Sequence, residues 1–316
     1  MSKNTVDIIV PCHNEEASLG LFFRAMQEQA LLLPAYELRL IFVDDGSRDS
    51  TPAILAELAQ EHSHVNYLSF SRNFGKEAAM YAGLARADGD FTVFIDADLQ
   101  HPPALLADML AAVDGGGYDS CSARRVSREG EPRVRSFFAR MFYKVINSMS
   151  EVDIVDGAVD YRMMNRAMSD AVLSLSERQR FSKGIFAWVG FTTKWVEFKN
   201  IERIAGETQW SFLKLLQYAL DGMIAFTTAP LRFATFAGAG VSLLAAGALL
   251  WSLLCRFLPG MAFLSVWHGI YLLVGGLLLL SCGILGEYLA CIHMAVKQRP
   301  LYITKSSSYA QPPEAE

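Results

Sequence analysis

The sequence predicts an α/β domain with a doubly wound, mostly parallel sheet, followed by a C-terminal hairpin of two transmembrane helices. In the first third of the 316 residues, short β-branched segments alternate with amphipathic, helix-like segments, which is typical of a parallel sheet. Near the C-terminus, two long segments carry no Asp, Glu, Lys or Arg, which is typical of membrane spans. The composition agrees, since 52% of the residues are hydrophobic and only 19% are charged.

Four predicted strands alternate with predicted helices in the N-terminal part. The helices extend to about Ala30, from Ser50 onward, from about Lys76 to Ala87, and after Pro103. The strands have the sequences DIIVPC, LRLIFVDDGS, VNYLSFS and FTVFIDADLQ. Three strands end in polar or acidic clusters, which we expect to share one crevice because ligands bind beyond the carboxyl ends of such strands. The sequence contains no GxGxxG or Walker A motif, which argues against dinucleotide-binding and P-loop proteins.

The two uncharged segments are residues 233–255 and 257–286. At about 1.5 Å per residue, a helix over the first segment reaches roughly 35 Å and can cross a hydrocarbon core of about 30 Å. The second segment is longer, so part of it must be a loop, and Pro259-Gly260 is the predicted turn. Two buried helices of a soluble protein would need a large surrounding core, which the remaining tail cannot supply.

The charge distribution predicts the orientation of these spans. The net charge of −5 argues against a nucleic-acid-binding protein with a basic surface. This total is the sum of −7 over residues 1–228 and +2 over residues 229–316. Arg232 precedes the first span, three basic residues follow the second, and only Arg256 lies between them. By the positive-inside rule, both termini and the N-terminal domain are cytoplasmic. We recognise no signal peptide, and five widely spaced cysteines without a CxxC pair predict free thiols.

The acidic clusters indicate a site for a cation and a nucleotide. Asp96 and Asp98 lie where the fourth strand opens into a loop, so both carboxylates can turn towards one Mg²⁺ or Mn²⁺ that neutralises a diphosphate. Such a pair alone is common on solvated turns. Asp44 and Asp45 follow the second strand and can accept hydrogen bonds from a nucleobase or ribose. One carboxylate within residues 156–162 can act as a general base.

Two later segments, Arg133–Ser150 and Gln209–Gly222, place apolar residues at helical spacing. Each segment fits either an ordinary core-facing helix or a helix that lies at a membrane interface.

Motifs along nearly the whole chain resemble those of a known family. In chain order they are VPCHNEE, VDDGSRDST, FSRNFGKEAAMYAGL, DADLQHPP, FSKGIFAWVGF, ERIAGETQW, PLR, GEYL and KQRPLYI. The chain resembles glycosyltransferase family 2, whose catalytic domain has the GT-A fold. More narrowly, it is similar to bacterial polyprenyl-phosphate glycosyltransferases, namely the bactoprenol glucosyltransferases of lipopolysaccharide O-antigen modification and relatives of dolichol-phosphate mannose synthase.

The resemblance and the charge pattern together predict the domain organisation. We expect a GT-A domain over residues 1–208, an amphipathic juxtamembrane helix over 209–229, two transmembrane helices over 230–292 and a cytoplasmic tail over 293–316. The resemblance implies a multi-pass protein of the bacterial inner membrane that binds a nucleotide sugar and a polyprenyl phosphate. It also implies a homo-oligomer, a tetramer by resemblance.

The resemblance implies roles for individual residues. Asp160 would be the catalytic base, and the ligands of Mg²⁺ or Mn²⁺ would be Asp96, Asp98 and Gln100. The residues that bind the donor would be Pro11, His13, Glu15, Asp44, Asp45, Asp96, Ala97, Arg124 and Arg203. Basic residues of the first amphipathic segment are candidates for the acceptor phosphate, or else form a solvated or headgroup-contacting face: Arg133, Arg135 and Arg140.

The chain departs from the family pattern at three positions. Val159 replaces a Gly, His101 stands where an Asp is common, and Gln209 stands where relatives of the mannose synthase carry Lys. The last change argues against transferring a phosphate contact to Gln209.

The implied reaction is an inverting transfer of a sugar from a UDP-sugar to undecaprenyl or another polyprenyl phosphate. Glucose is the expected sugar, and N-acetylglucosamine, mannose or a 4-amino-arabinose derivative are alternatives. A processive synthase is disfavoured because such enzymes usually have more spans and a QxxRW-type segment. A membrane-anchored protein that binds a nucleotide sugar without turnover is the alternative of another class.

Overall fold

The computed structural model of the protein describes residues 3–126, 155, 157–175, 177, 180–198, 231, 234–241, 243–244, 247 and 264–309. The strands in these residues are β1 (Asn4–Cys12), β2 (Tyr36–Asp44), β3 (Val65–Phe70), β4 (Phe91–Phe94), β5 (Ser120–Arg125), β6 (Ala158–Asn165), β7 (Thr193–Phe198) and β8 (Thr304–Ser307). The helices are α1 (Leu19–Leu32), α2 (Thr51–Glu61), α3 (Lys76–Leu84), α4 (Leu105–Val113), α5 (Arg166–Ser174), α6 (Ser182–Trp188) and α7 (Leu264–Val296).

The strands form one sheet with the order β7-β5-β6-β4-β1-β2-β3-β8. β4, β1, β2 and β3 are parallel neighbours, and α1, α2 and α3 connect them in the chain. β6 runs antiparallel to both β4 and β5, so the sheet is mixed. The predicted alternation of strands and helices is confirmed over β1 to α4, and the helix predicted from about Lys76 to Ala87 is α3.

Both faces of the sheet are covered, because its central strands present apolar side chains to both sides. On one face, Val6 and Ile8 belong to a core cluster with residues of α1, α2 and α4. On the other face, Ile9 belongs to a cluster with residues of α3, α5 and α6. A Cβ atom added at Gly83 of α3 would overlap the side chain of Ile9. This close packing holds the end of α3 near Gly83 directly against β1.

The chain returns to the sheet after α7. β8 pairs antiparallel with β3, and the ring of Tyr302 stacks on Phe70 with centroids 4.8 Å apart. The N–H of Ser71 donates to the carbonyl of Ile303 at 2.9 Å. These residues belong to the tail predicted over 293–316, where the sequence analysis expects no strand. Pairing covers the edge of β3, whose backbone groups would otherwise be open to another strand.

The helix α7 contains one candidate membrane span, Leu273–Val296, by length and composition. It continues past Gly286, where the second uncharged segment ends, and its side chains are largely exposed in the isolated chain. Of the first predicted span, the described residues between 231 and 247 are helical. The predicted turn at Pro259-Gly260 and the two amphipathic segments lie outside the described residues, so the two-helix hairpin stays a prediction.

Candidate active site

Hydrogen bonds join the loops that follow β1 and β2. The N–H of Asp45 donates to the carbonyl of Cys12 at 2.8 Å, and the N–H of Asn14 donates to Oγ of Ser47 at 2.8 Å. Nδ1 of His13 lies 2.9 Å from the carbonyl oxygen of Asp45. The structure therefore brings the two predicted polar clusters together at the carboxyl edge of the sheet.

The predicted donor-binding residues Pro11 and Glu15 lie at the same edge. Pro11 is paired in register with Val43 of β2. The N–H of Glu15 donates to Oγ1 of Thr51 at 2.8 Å. The carboxylate of Glu15 accepts a hydrogen bond from Oγ of Ser18 at 2.6 Å. Glu15 thus connects the loop after β1 to the start of α2.

Asp44 and Asp45 are buried, and their carboxylates hold the surrounding loops. Asp44 accepts hydrogen bonds from the N–H of Ser47 and from the hydroxyl of Ser69. Asp45 accepts from the N–H of Phe74 at 2.6 Å and from the N–H of Gly75 at 2.9 Å. Burial raises the pKa of Asp45, and these two backbone hydrogen bonds offset only part of the effect. Both oxygens of Asp45 therefore shape the loop that leads into α3.

A lysine that the sequence analysis did not single out joins two of the predicted site residues. Nζ of Lys76 lies 2.6 Å from a carboxylate oxygen of Asp96 and 2.8 Å from one of Asp160. Asp96 follows β4 and Asp160 lies on β6, so one ammonium group connects the predicted donor side to the predicted base. The available signal was the FGKE sequence, which places a lysine on a helix start beyond the end of β3.

The charges of this group determine its protonation. Burial alone lowers the pKa of Lys76, but the carboxylates of Asp160 and Asp96 outweigh it and raise the pKa above its ordinary value. Burial alone raises the pKa of Asp160, but the positive charges of Lys76 and Lys183 outweigh it and lower the pKa below 3.8. At neutral pH, Lys76 is therefore an ammonium and Asp160 a carboxylate.

The loop after β4 carries the predicted metal ligands. Asp98 and Ala97 are buried, and Leu99 adopts a left-handed φ of 57° that turns the chain. The N–H of Gln100 donates to Oδ1 of Asp98 at 3.1 Å. The turn therefore places Asp96, Asp98 and Gln100 around one short loop, as the sequence predicts.

His101 lies beside this loop and is buried against aromatic rings. Its Nδ1 is 3.8 Å from a carboxylate oxygen of Asp96 and makes no hydrogen bond within the described part of the chain. The rings of Tyr161 and Phe198 lie next to the imidazole. Burial lowers the pKa of His101, and the charge of Asp96 offsets part of this effect. The imidazole is therefore neutral at neutral pH.

The donor atoms of the loop suit a hard divalent cation. Asp96, Asp98 and Gln100 offer carboxylate and amide oxygens, which Mg²⁺ and Mn²⁺ prefer. Among the described residues, no group of three or more His, Cys, Asp or Glu is arranged to hold a metal. Asp96, Asp98 and Gln100 are the residues that would hold such a cation, together with phosphate oxygens of a substrate.

Arg124 is the predicted donor-binding arginine that lies within the described residues. It lies on β5 opposite Ala158 of β6, and its side chain is 42% exposed with an oxygen of Glu197 at 4.0 Å. The other predicted arginines lie outside the described residues, and their roles stay predictions: Arg133, Arg135, Arg140 and Arg203.

A second contact links α3 to α6. The carboxylate of Glu77, next to Lys76, accepts hydrogen bonds from the N–H of Ser182 at 3.1 Å and from its hydroxyl. Ser182 is the first residue of α6, and Lys183 follows it. This contact fixes the start of α6 and with it the charge of Lys183, which acts on Asp160.

Arg162 is a buried cation behind Asp160 that the sequence analysis also missed. Its Nη1 donates to Oγ of Ser120 at 2.8 Å, and its guanidinium lies over the rings of Phe186 and Trp195. Burial lowers the pKa of Arg162 to about 10, so it remains charged at neutral pH. Because Asp160 and Arg162 are two residues apart on β6, their side chains point to the same face of the sheet.

Comparisons with known proteins indicate the family of the chain. The family described as "Glycosyl transferase family 2" matches residues 7–173. The chain is 38% identical to a putative glycosyltransferase, CsbB, of Bacillus subtilis over 98% of this chain and 93% of that protein. It is 37% identical to an SfII prophage-derived bactoprenol glucosyl transferase of Shigella flexneri over 97% of this chain and 99% of that protein.

Solved structures also resemble the chain, and one of them holds a metal and a nucleotide sugar. Glucosyl-3-phosphoglycerate synthase from Mycobacterium tuberculosis, in complex with Mn²⁺, UDP-glucose and phosphoglyceric acid, is 20% identical. The match covers 69% of this chain and 76% of that one, with a TM-score of 0.42.

Proposed function

Because the chain belongs to glycosyltransferase family 2, we propose that this GT-A enzyme transfers a sugar from a UDP-sugar to a polyprenyl phosphate at a membrane surface. The expected sugar is glucose. The observation that carries the proposal is the ion-pair group in which Lys76 contacts both Asp96, beside the predicted metal loop, and Asp160, the predicted base. The identity over nearly the full length of a bactoprenol glucosyl transferase supports the acceptor class.

The reaction requires that an oxygen of the lipid phosphate attack the anomeric carbon while UDP leaves from the opposite side. Asp98, Gln100 and Asp96 would hold a divalent cation, which neutralises the diphosphate of the leaving UDP. Arg124 on β5 and Arg203 would contact phosphates through their planar guanidinium groups. The protein contributes orientation and electrostatic stabilisation.

The lowered pKa of Asp160 limits its chemical role. A phosphate monoester has a second pKa of about 6, so the acceptor is largely a dianion at neutral pH. A carboxylate that holds protons more weakly than usual cannot strongly deprotonate it. We therefore assign Asp160 mainly the orientation of the acceptor, with only weak removal of a proton from the remaining monoanion.

The long apolar helix supports a membrane location. A polyprenyl chain leaves the bilayer at a cost of about 0.8 kcal/mol per CH₂ group, so the enzyme must reach the head group at the surface. We propose that the uncharged segment over 233–255 and α7 form a two-helix anchor. The catalytic domain and both termini would face the bacterial cytoplasm, since basic residues follow α7. Arg133, Arg135 and Arg140 would receive the acceptor phosphate, and the enzyme would be a homo-oligomer, a tetramer by family resemblance.

Release of UDP by the purified full-length protein tests the proposal. UDP should appear only when donor, Mg²⁺ or Mn²⁺ and polyprenyl phosphate are all present. A donor screen with UDP-glucose, UDP-N-acetylglucosamine, a mannose donor and a 4-amino-arabinose donor identifies the sugar. Binding of nucleotide sugar without UDP release under every acceptor condition would instead identify a binding protein.

A further inference from the structure

We propose that Lys76 acts as an internal counter-cation for the metal site. In the metal-free protein its ammonium holds Asp96 and Asp160 together, and a divalent cation binds tightly to Asp96 only together with the diphosphate of the donor. This inference rests on the proposed function, since it assumes a metal that is shared with a nucleotide sugar.

The geometry gives Lys76 the position of a competitor. Its Nζ lies 2.6 Å from Asp96 and 2.8 Å from Asp160, so it binds the same carboxylate that is predicted to bind the metal. A divalent cation that approaches Asp96 must therefore replace the ammonium or accept its repulsion. Either event weakens binding of the bare cation.

The backbone around Lys76 is fixed on both sides. The preceding residue, Gly75, has a left-handed φ of 99°, and its N–H donates to the buried carboxylate of Asp45. The following residue, Glu77, accepts hydrogen bonds from Ser182. These contacts anchor both neighbours of Lys76, so the ion pair differs from a surface pair between two residues that lack such anchors.

The charges explain why the donor would overcome this barrier. A diphosphate brings negative charge and additional oxygen ligands, and both favour a divalent cation at the loop of Asp98. An ammonium released from Asp96 can pair with an oxygen of the same diphosphate or remain on Asp160. Metal binding and nucleotide binding are thus coupled, and each strengthens the other.

Mn²⁺ binding to the full-length protein in detergent tests the inference, measured by electron paramagnetic resonance with and without UDP. Lys76→Gln removes the charge and keeps a polar side chain, so Mn²⁺ alone should bind about tenfold more tightly than to the wild type. UDP should strengthen Mn²⁺ binding less in this variant than in the wild type. Lys76→Arg keeps the charge and should retain weak binding of Mn²⁺ alone.

The matched control is Lys194→Gln on β7, an exposed lysine that changes the net charge equally. It should leave Mn²⁺ binding unchanged. The inference would be overturned if Lys76→Gln bound Mn²⁺ alone no more tightly than the wild type while Lys76→Arg bound it like the wild type. If Lys76→Gln does not fold, Lys76→Met also removes the charge and replaces it in the test, and unchanged Mn²⁺ binding by that variant would overturn the inference. Failure of sugar transfer in the wild type would refute the proposed function instead, because these binding measurements need no acceptor.

Discussion

Replacing Asp160 with Asn should abolish sugar transfer while the fold and UDP binding remain. The amide of Asn keeps an oxygen for the ammonium of Lys76, which lies 2.8 Å from the carboxylate in the native protein. The shape of the site is therefore retained, and only the charge is lost. Removing a group that orients the acceptor and accepts its proton typically lowers the rate by about 10²–10⁴-fold.

The accompanying loss of stability should be small. The side chain of Asp160 is 24% exposed, so solvent screens part of its attraction to Lys76. We expect a loss of about 1 kcal/mol, which lowers the melting temperature by about 2–4 °C for a domain of this size. The matched control is Asp170→Asn on α5, whose exposed carboxylate pairs with Arg166 at 2.7 Å. That variant should retain full transfer.

The assay combines UDP release in the presence of polyprenyl phosphate with calorimetric binding of UDP. Near-normal turnover of Asp160→Asn, with normal melting and UDP affinity, would refute the assignment. Loss of both UDP binding and transfer would assign Asp160 to the donor rather than the acceptor.

The same residue makes a prediction about pH. Because the folded pKa of Asp160 lies below 3.8, its contribution to stability is present above about pH 4 and is lost as the pH falls through the folded value. Asp160 is therefore ionised wherever the enzyme is active. The rate of the native enzyme should fall below about pH 6, because the acceptor phosphate changes from the dianion to the monoanion, which Asp160 deprotonates only weakly. Full activity down to pH values near 4 would contradict this explanation.

Three further changes test other parts of the site. Asp98→Ala should abolish metal-dependent binding of UDP, and equal calorimetric affinity with and without Mn²⁺ in the native protein would contradict the predicted metal loop. Asp45→Asn should lower the free energy of unfolding by about 1–3 kcal/mol, because an amide offers only one oxygen to the N–H groups of Phe74 and Gly75. An unchanged denaturant midpoint would show that the loop needs only one of these hydrogen bonds. Deleting residues 301–316 should lower the free energy of unfolding by about 2–4 kcal/mol, because the pairing of β8 with β3 and the stacking of Tyr302 on Phe70 are lost. An unchanged melting temperature would show that β8 adds no stability.

Local patterns predicted the part of the site that lies within single loops. Asp96, Asp98 and Gln100 occupy one turn after β4, so their proximity follows from their spacing in the chain. The four strand–helix units were predictable for the same reason, because hydrophobic periodicity and turn residues act over a few positions. The sharing of one crevice by loops after β1 and β2 followed from the general behaviour of parallel sheets.

Long-range contacts escaped the sequence analysis. Lys76 lies 20 residues from Asp96 and is much further along the chain from Asp160, and no local pattern indicates that one ammonium would contact both. The link between Glu77 and Ser182 spans 105 residues. Likewise, residues 304–307 carry no strong strand pattern, and their pairing with β3 depends on where α7 delivers the chain.

The sequence by itself determined the family, the alternation of strands and helices, the acidic loop after β4 and the apolar C-terminal helix. These features depend on residues that are close in the chain, where spacing alone dictates geometry. The tertiary structure decided that Lys76 contacts both Asp96 and Asp160 and that β8 covers one edge of the sheet. It also decided that both carboxylate oxygens of Asp45 accept hydrogen bonds from the loop before α3. Such contacts arise only when separate elements pack together, because packing rather than spacing sets which distant charges and hydrogen-bonding groups meet.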